Sequence, residues 1–267
     1  MSYRGEKIVE FDIKSSQPFI LTVVLTLLLE NHKYVTELED KRQDRLHKTL
    51  SKRIKKDLKR LLNKEEVYEY KVEIDRRIDD ISTIMIKKAT SLYFVEIHDF
   101  ISDIRNGDIY EKTAEELLKQ NLIIQQGNVF LMKRYVEELG YQTVVPFNSL
   151  RECGKKIVLS SIYSSVKPTL NLVIAFRELY PSTMILLDVF KKEDHTHLAL
   201  VMQRIESRAI LDVCARKASR RLPMTPLITR HDSISTTESC ASELGVLFKE
   251  SLVAFFKTDV VVKRSSW

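Results

Sequence analysis

The chain has 267 residues, 44% of them hydrophobic, enough to bury one large core or two smaller ones. Six glycines and six prolines are too few for a turn-rich β-sandwich, and three scattered cysteines without CxxC spacing argue against a disulfide frame or a zinc site and fit the reduced thiols of a cytoplasmic protein. The net charge of +6 is concentrated, with ten Lys/Arg against two Asp between Lys41 and Arg60, a stretch suited to a polyanion.

In chain order, residues 6–13 (EKIVEFDI) read as a strand that carries Asp12 near its end. Ser15-Ser16-Gln17-Pro18 then starts a helix, and the apolar run from Pro18 to Leu29 falls short of the roughly 20 residues needed to span a bilayer, so it is expected to be buried in protein. From Thr36 to Leu62 the apolar residues Leu38, Leu46, Leu50, Ile54, Leu58 and Leu61 recur at helical spacing within the basic stretch. An acidic segment follows to Ser82 and continues as helix through Phe100. Asn106-Gly107 marks a turn, Ile109–Gln120 a helix, Gln126-Gly127-Asn128 a second turn, and Met132–Leu139 a helix ended by Gly140.

The helix over 151–165 breaks at Lys167-Pro168. A further helix ends at Tyr180-Pro181, one continues through 182–192, and a long one runs from His195 to Ala218. Leu227–Arg230 and Ile234–Thr236 read as two strands around a bend at His231-Asp232-Ser233. Glu238–Phe256 is amphipathic, and Asp259–Lys263 is a last strand. His195 and His197 lack a third ligand at a metal-binding spacing. The expected division is 1–35, a helical insertion over 36–145, then 146–195 and 196–267.

Two aspartates each follow a strand-like run, Asp12 near the start and Asp232 near the end of the chain. Brought together on neighbouring strands, two carboxylates suffice for Mg²⁺, which takes the rest of its shell from substrate phosphates and water. A pair of such ions about 3.5–4 Å apart can stabilise the attacking and leaving oxygens of a phosphoryl displacement. Arg151 and Lys155 lie at i, i+4, one face of a helix, and form a candidate clamp for a triphosphate; Tyr163 follows about two turns later.

In this order the segments resemble the polymerase superfamily of family A DNA polymerases and single-subunit RNA polymerases. Arg151, Lys155 and Tyr163 fit the fingers-helix pattern R-x3-K-x7-[YF]-G, with Ser164 in place of Gly. Tyr180-Pro181 is similar to an aromatic–Pro pair found beyond that helix. His231-Asp232-Ser233 matches the final motif, His-Asp-Glu in the DNA polymerases and His-Asp-Ser in the RNA polymerases. The resemblance touches residues 6–30 and 150–260 and leaves about 35–145 uncovered. It implies an α/β fold of the α+β type, a helix-rich palm and fingers with a small antiparallel palm sheet.

The activity it implies is template-directed addition of dNTPs to a primer 3′-end with two Mg²⁺ (or Mn²⁺). Asp12, Asp232 and the carbonyl of Ile13 would hold metal. Arg151 and Lys155 would bind the triphosphate, with Lys155 donating a proton to pyrophosphate. Gln17, five residues after Asp12 where the DNA enzymes carry a sugar-gating Glu, and Tyr163 would check the sugar. His231 and Gln203 would meet the primer–template.

Only eleven residues precede Asp12, so the chain is expected to be a fragment, to rely on a second protein chain for the thumb function, or to be a minimal and poorly processive enzyme. Two other readings remain open. One is a non-catalytic, nucleic-acid-binding relic or subunit of a larger assembly; the other is an RNA polymerase or primase, favoured by Ser233 and disfavoured by Gln17. No membrane partner is expected.

Overall fold

Strand β2 (Glu6–Ile13) organises one part of the molecule through its alternation: Val9, Phe11 and Ile13 are buried, while Glu10 and Asp12 on the other face are only partly covered. The computed structural model describes residues 2–38, 42–62, 71–87, 91–136, 141–168, 170–230 and 232–267. They divide into two compact units, one of residues 1–37, 48–75 and 200–267 and the other of 38–47 and 76–199.

In the first unit β2 pairs antiparallel with three strands. The short β1 (Ser2–Tyr3) joins it through Arg4 and Gly5, both at positive φ as tight hairpins require. β7 (Ser233–Thr237) and β8 (Val262–Ser266) also pair with β2, and β6 (Ile228–Arg230) lies beyond β7. The last strand begins three residues later than the Asp259–Lys263 pattern suggests, because pairing with β2, not local apolarity, sets its limits. Helix α11 (Ala241–Phe256) packs on the buried face so closely that a Cβ on Gly245 would sit 2.7 Å from the Phe11 ring.

Helix α1 (Ser16–Thr36) starts right after β2. Ser15 turns the chain in the left-handed region (φ 52°) and makes no side-chain cap; Ser16 instead donates to the buried Glu206. The apolar run is buried as expected, with Ile20 and Leu28 wholly inside. Helix α2 (Gln43–Leu61) presents Leu50, Ile54, Leu58 and Leu61 inward. Asn31 of α1 donates to Asp57 and accepts from Arg53 of α2, which links the two helices through one buried amide.

The expected single helix over His195–Ala218 is three segments: α9 (Thr196–Ser207), a π-helical stretch (Arg208–Ala215) and α10 (Arg216–Arg221). Ile205, Ala209, Ile210, Cys214 and Ala218 are buried. Ile205, Ala209, Cys214 and Ala218 recur every four or five residues, wider than the 3.6 of an α-helix, and the i→i+5 turn keeps them on one face.

The second unit is mostly helical: α3 (Lys71–Lys87, shared with the first unit), α4 (Ser91–Asn106), α5 (Ile109–Lys119), α6 (Leu150–Tyr163), α7 (Asn171–Leu179) and α8 (Pro181–Lys191). It also holds an antiparallel meander, β3 (Ile123–Gln126), β4 (Val129–Val136) and β5 (Tyr141–Phe147). The helix expected over Met132–Leu139 is therefore strand through Val136. Pairing with both neighbours, Met132 opposite Ile123 and Val145, overrides its helix-like spacing, and residues 137–140 lie outside those described. The turn at Gly127 (φ +58°) is where the sequence places it.

Glu96 of α4 caps α8 by accepting from the backbone N–H groups of Ser182 and Thr183 and from the Thr183 hydroxyl. Tyr180 packs against Phe100 and Phe176 and donates to Asp103 at 3.2 Å. Both units thus combine many helices with a small antiparallel sheet, the expected helix-rich α/β class. Among the described residues no helix is long and apolar enough to cross a membrane.

Candidate active site

Strand register brings the two predicted aspartates together. Asp12 on β2 lies opposite Ser233 on β7, and Asp232 is the residue before Ser233, at the turn from β6. Antiparallel pairing fixes this, because Phe11 and Ile234 must both face the core, which leaves Asp12 and Ser233 one step along on the other face. On its second side Asp12 faces Lys263 of β8.

The electrostatics at Asp12 are opposed. Burial pushes its carboxyl above the ordinary Asp range, Lys263 pulls it back, and the charges of Asp232 and Glu10 push it up again. Its Oδ1 is buried and, among the described residues, has no hydrogen-bond partner. A buried acceptor left in that state costs about 1–3 kcal/mol. This suits a ligand that supplies positive charge: two close carboxylates, one with an unpaired oxygen, fit a hard divalent cation bound mainly through substrate and water. Among the described residues no group of three or more His, Cys, Asp or Glu is arranged to hold a metal ion. Ile13, the third expected ligand through its carbonyl, ends β2 opposite Val262.

Two neighbours of Asp12 escaped the sequence reading. Glu10 shares its face of β2; Ser233 Oγ lies 2.6 Å from Glu10 Oε1, and the Trp267 indole donates to Oε2 at 3.2 Å. Ser233 Oγ is also 2.7 Å from the Arg230 carbonyl, and its single proton goes best to the charged acceptor. The i, i+2 spacing from Asp12 was the signal for Glu10. Lys263 gave none, because nothing local fixes the register of the last strand.

Of the other candidates in this unit, Gln17 is half-buried in the first turn of α1 and Gln203 is exposed on α9. His231 lies outside the described residues.

Arg151, Lys155 and Tyr163 lie together on α6, in the second unit. A Cβ on Gly154 would intrude deep into the Tyr110 carbonyl oxygen, so α5 and α6 meet as closely as backbones can. One turn before Gly154, Arg151 is drawn to α5. Its Nη1 donates to both carboxylate oxygens of Glu111 (2.6 and 2.7 Å) and to the Gly107 carbonyl (3.0 Å), and Glu111 holds its pKa above the usual Arg value. Lys155 is exposed and makes no ion pair among the described residues; Tyr163 ends the helix half-buried. The aspartates thus meet in one unit, and the Arg–Lys–Tyr series shares one helix of the other.

No protein-family model matches the chain, and no curated protein does. Among solved structures it is weakly similar to the "POL domain of Pol1 from M. smegmatis complex with DNA primer-template and dNTP", with a TM-score of 0.26 and 11% identity over 99% of this chain. The chain spans 40% of that structure's length. At that level of likeness the functional reading rests on the site geometry.

Proposed function

We propose that the chain is a template-directed nucleotidyltransferase, a DNA polymerase that adds dNTPs to a primer 3′-end, with Asp12 and Asp232 as its metal-binding pair. The observation that carries this reading is the β2–β7 register: it joins two aspartates from opposite ends of the sequence, and one keeps a buried oxygen with no partner among the described residues. Bound Mg²⁺ would stabilise the attacking and leaving oxygens at the α-phosphate.

The chain's own groups take the remaining roles. Glu10 and Ser233 brace the face that presents Asp12. Lys155, exposed and unpaired among the described residues, is the group to neutralise the triphosphate and to protonate leaving pyrophosphate. Arg151 joins it only by exchanging Glu111 for a phosphate. Gln17 and Tyr163 are assigned to sugar discrimination, and Gln203 and His231 to the primer–template; the resemblance supports these assignments.

One observation favours a second reading. Lys263 already sets a cation against Asp12, as a nucleic-acid-binding protein that no longer uses metal would. Primer extension on a DNA template with Mg²⁺ or Mn²⁺, dNTPs and rNTPs offered separately, decides between them. Template-dependent extension that disappears in Asp12→Ala/Asp232→Ala supports the polymerase, and the sugar used separates DNA from RNA synthesis. Primer–template binding without extension under any condition supports the second reading.

A further inference from the structure

Helix α2 ties two of its arginines into the fold and leaves four of its lysines exposed. Arg53 lies over the Tyr34 ring (3.6 Å to the centroid) and donates to Asn31, and Arg60 donates to the Phe255 carbonyl at 2.6 Å. These arginines serve the fold. Lys48, Lys52, Lys56 and Lys59 are exposed and make no hydrogen bond or ion pair among the described residues. At about 100° and 1.5 Å per residue they occupy an arc of about 80° and a row about 16 Å long, with successive members about 5–6 Å apart. Asp57 is turned away towards Asn31, and Asp44 stands one turn before the row.

We infer that this lysine row of α2 is a docking surface for the sugar-phosphate backbone of nucleic acid. Lysine is a compact point charge on a flexible stem, suited to phosphates of any orientation and not to reading bases. Four cations in line with no acidic partner among the described residues repel one another, and a polyanion relieves that repulsion while releasing its own counterions. An anionic membrane is the competing polyanion. A helix that docks on a membrane lays its apolar face into it, but Leu50, Ile54, Leu58 and Leu61 of α2 are at most 1% exposed and already buried in the protein. The inference rests on the nucleic-acid part of the proposed function and not on catalysis.

The test is fluorescence anisotropy of a labelled DNA duplex, in EDTA and without nucleotide, over a series of KCl concentrations. The protein is compared with K48A/K52A/K56A/K59A, with K48R/K52R/K56R/K59R, and with the charge-matched K7A/K33A/K87A/K167A, whose four lysines are exposed elsewhere. The expected result is that the α2 alanine variant loses affinity on the order of 100-fold near 100 mM salt and about 3–4 from the slope of log K against log salt, with the arginine and charge-matched variants close to the parent. Equal losses in the two alanine variants, or retention of DNA binding alongside lost binding to phosphatidylserine vesicles, would overturn it. Binding that behaves as expected in a protein that never extends a primer would leave this surface standing and remove the catalytic reading alone.

Discussion

Lys263 stands directly opposite Asp12 across the β2–β8 pair, so the carboxylate at the centre of the site shares its strand face with an ammonium group. Lys263 opposes the burial that raises the Asp12 pKa, but it also competes with any cation that binds there. At pH 8, Lys263→Ala should lower the Mg²⁺ concentration for half-maximal incorporation about threefold to tenfold, roughly the 1 kcal/mol a partly exposed ion pair contributes. A Mg²⁺ titration of incorporation rate measures this; a raised requirement would mean that Lys263 holds Asp12 in place and does not compete for it.

Asp12→Asn should separate stability from activity. Burial and the nearby acids raise the folded-state pKa, so ionised Asp12 weakens the fold above its unfolded pKa, and that cost disappears as pH falls through the raised value. The variant should therefore be slightly more stable than the parent at pH 8, by less than about 1 kcal/mol after solvent screening, while incorporation is lost. Denaturation midpoints at pH 8 and at acid pH check the sign: the gain should shrink on acidification.

Gly154→Ala tests the contact that sets the position of Arg151. In an exposed mid-helix site this change stabilises by about 1 kcal/mol. Against the Tyr110 carbonyl it should instead destabilise by about 3 kcal/mol, because backbone cannot move aside as a side-chain end can. Urea denaturation reads the difference, and a neutral or stabilised variant would contradict the α5–α6 packing.

Lys191 makes a different pH dependence. Its side chain is wholly buried beside Asp188, which also pairs with Arg177, and burial pulls its pKa down to about 8. With the folded pKa below the unfolded one, the charged lysine weakens the fold below about pH 8. The cost is relieved as pH rises from there towards the unfolded value near 10.5. Lys191→Met should stabilise by about 1–3 kcal/mol at pH 7 and lose that advantage by pH 10. Chemical denaturation at both pH values checks it; a variant less stable at pH 7 would make Lys191 a necessary partner of Asp188.

The parts of the fold legible in sequence are those set by local pattern. Alternation marks β2, the apolar run marks α1, and the Leu/Phe spacing marks α11. Asp12 and Asp232 stood out as candidates because one lies near the end of such a strand and the other just beyond a strand-like run. What escaped depends on distant pairing. Met132, Tyr135, Val136 and Leu139 imitate a helical stripe, and only the neighbouring strands show that β4 is extended. The Glu111 partner of Arg151 is set by the α5–α6 approach. Lys263 meets Asp12 only through the register of the last strand.

Asp232→Asn in a single assay of binding and chemistry tests the central claim most directly. Charge is removed with shape kept, at a residue that is neither core nor ladder. The account predicts single-turnover dNMP incorporation reduced by about 1,000-fold or more, in the range of losing a key electrostatic group, with the Kd for primer–template within about threefold of the parent. Incorporation equal to the parent's would contradict the assignment of Asp12 and Asp232 as the metal-binding pair.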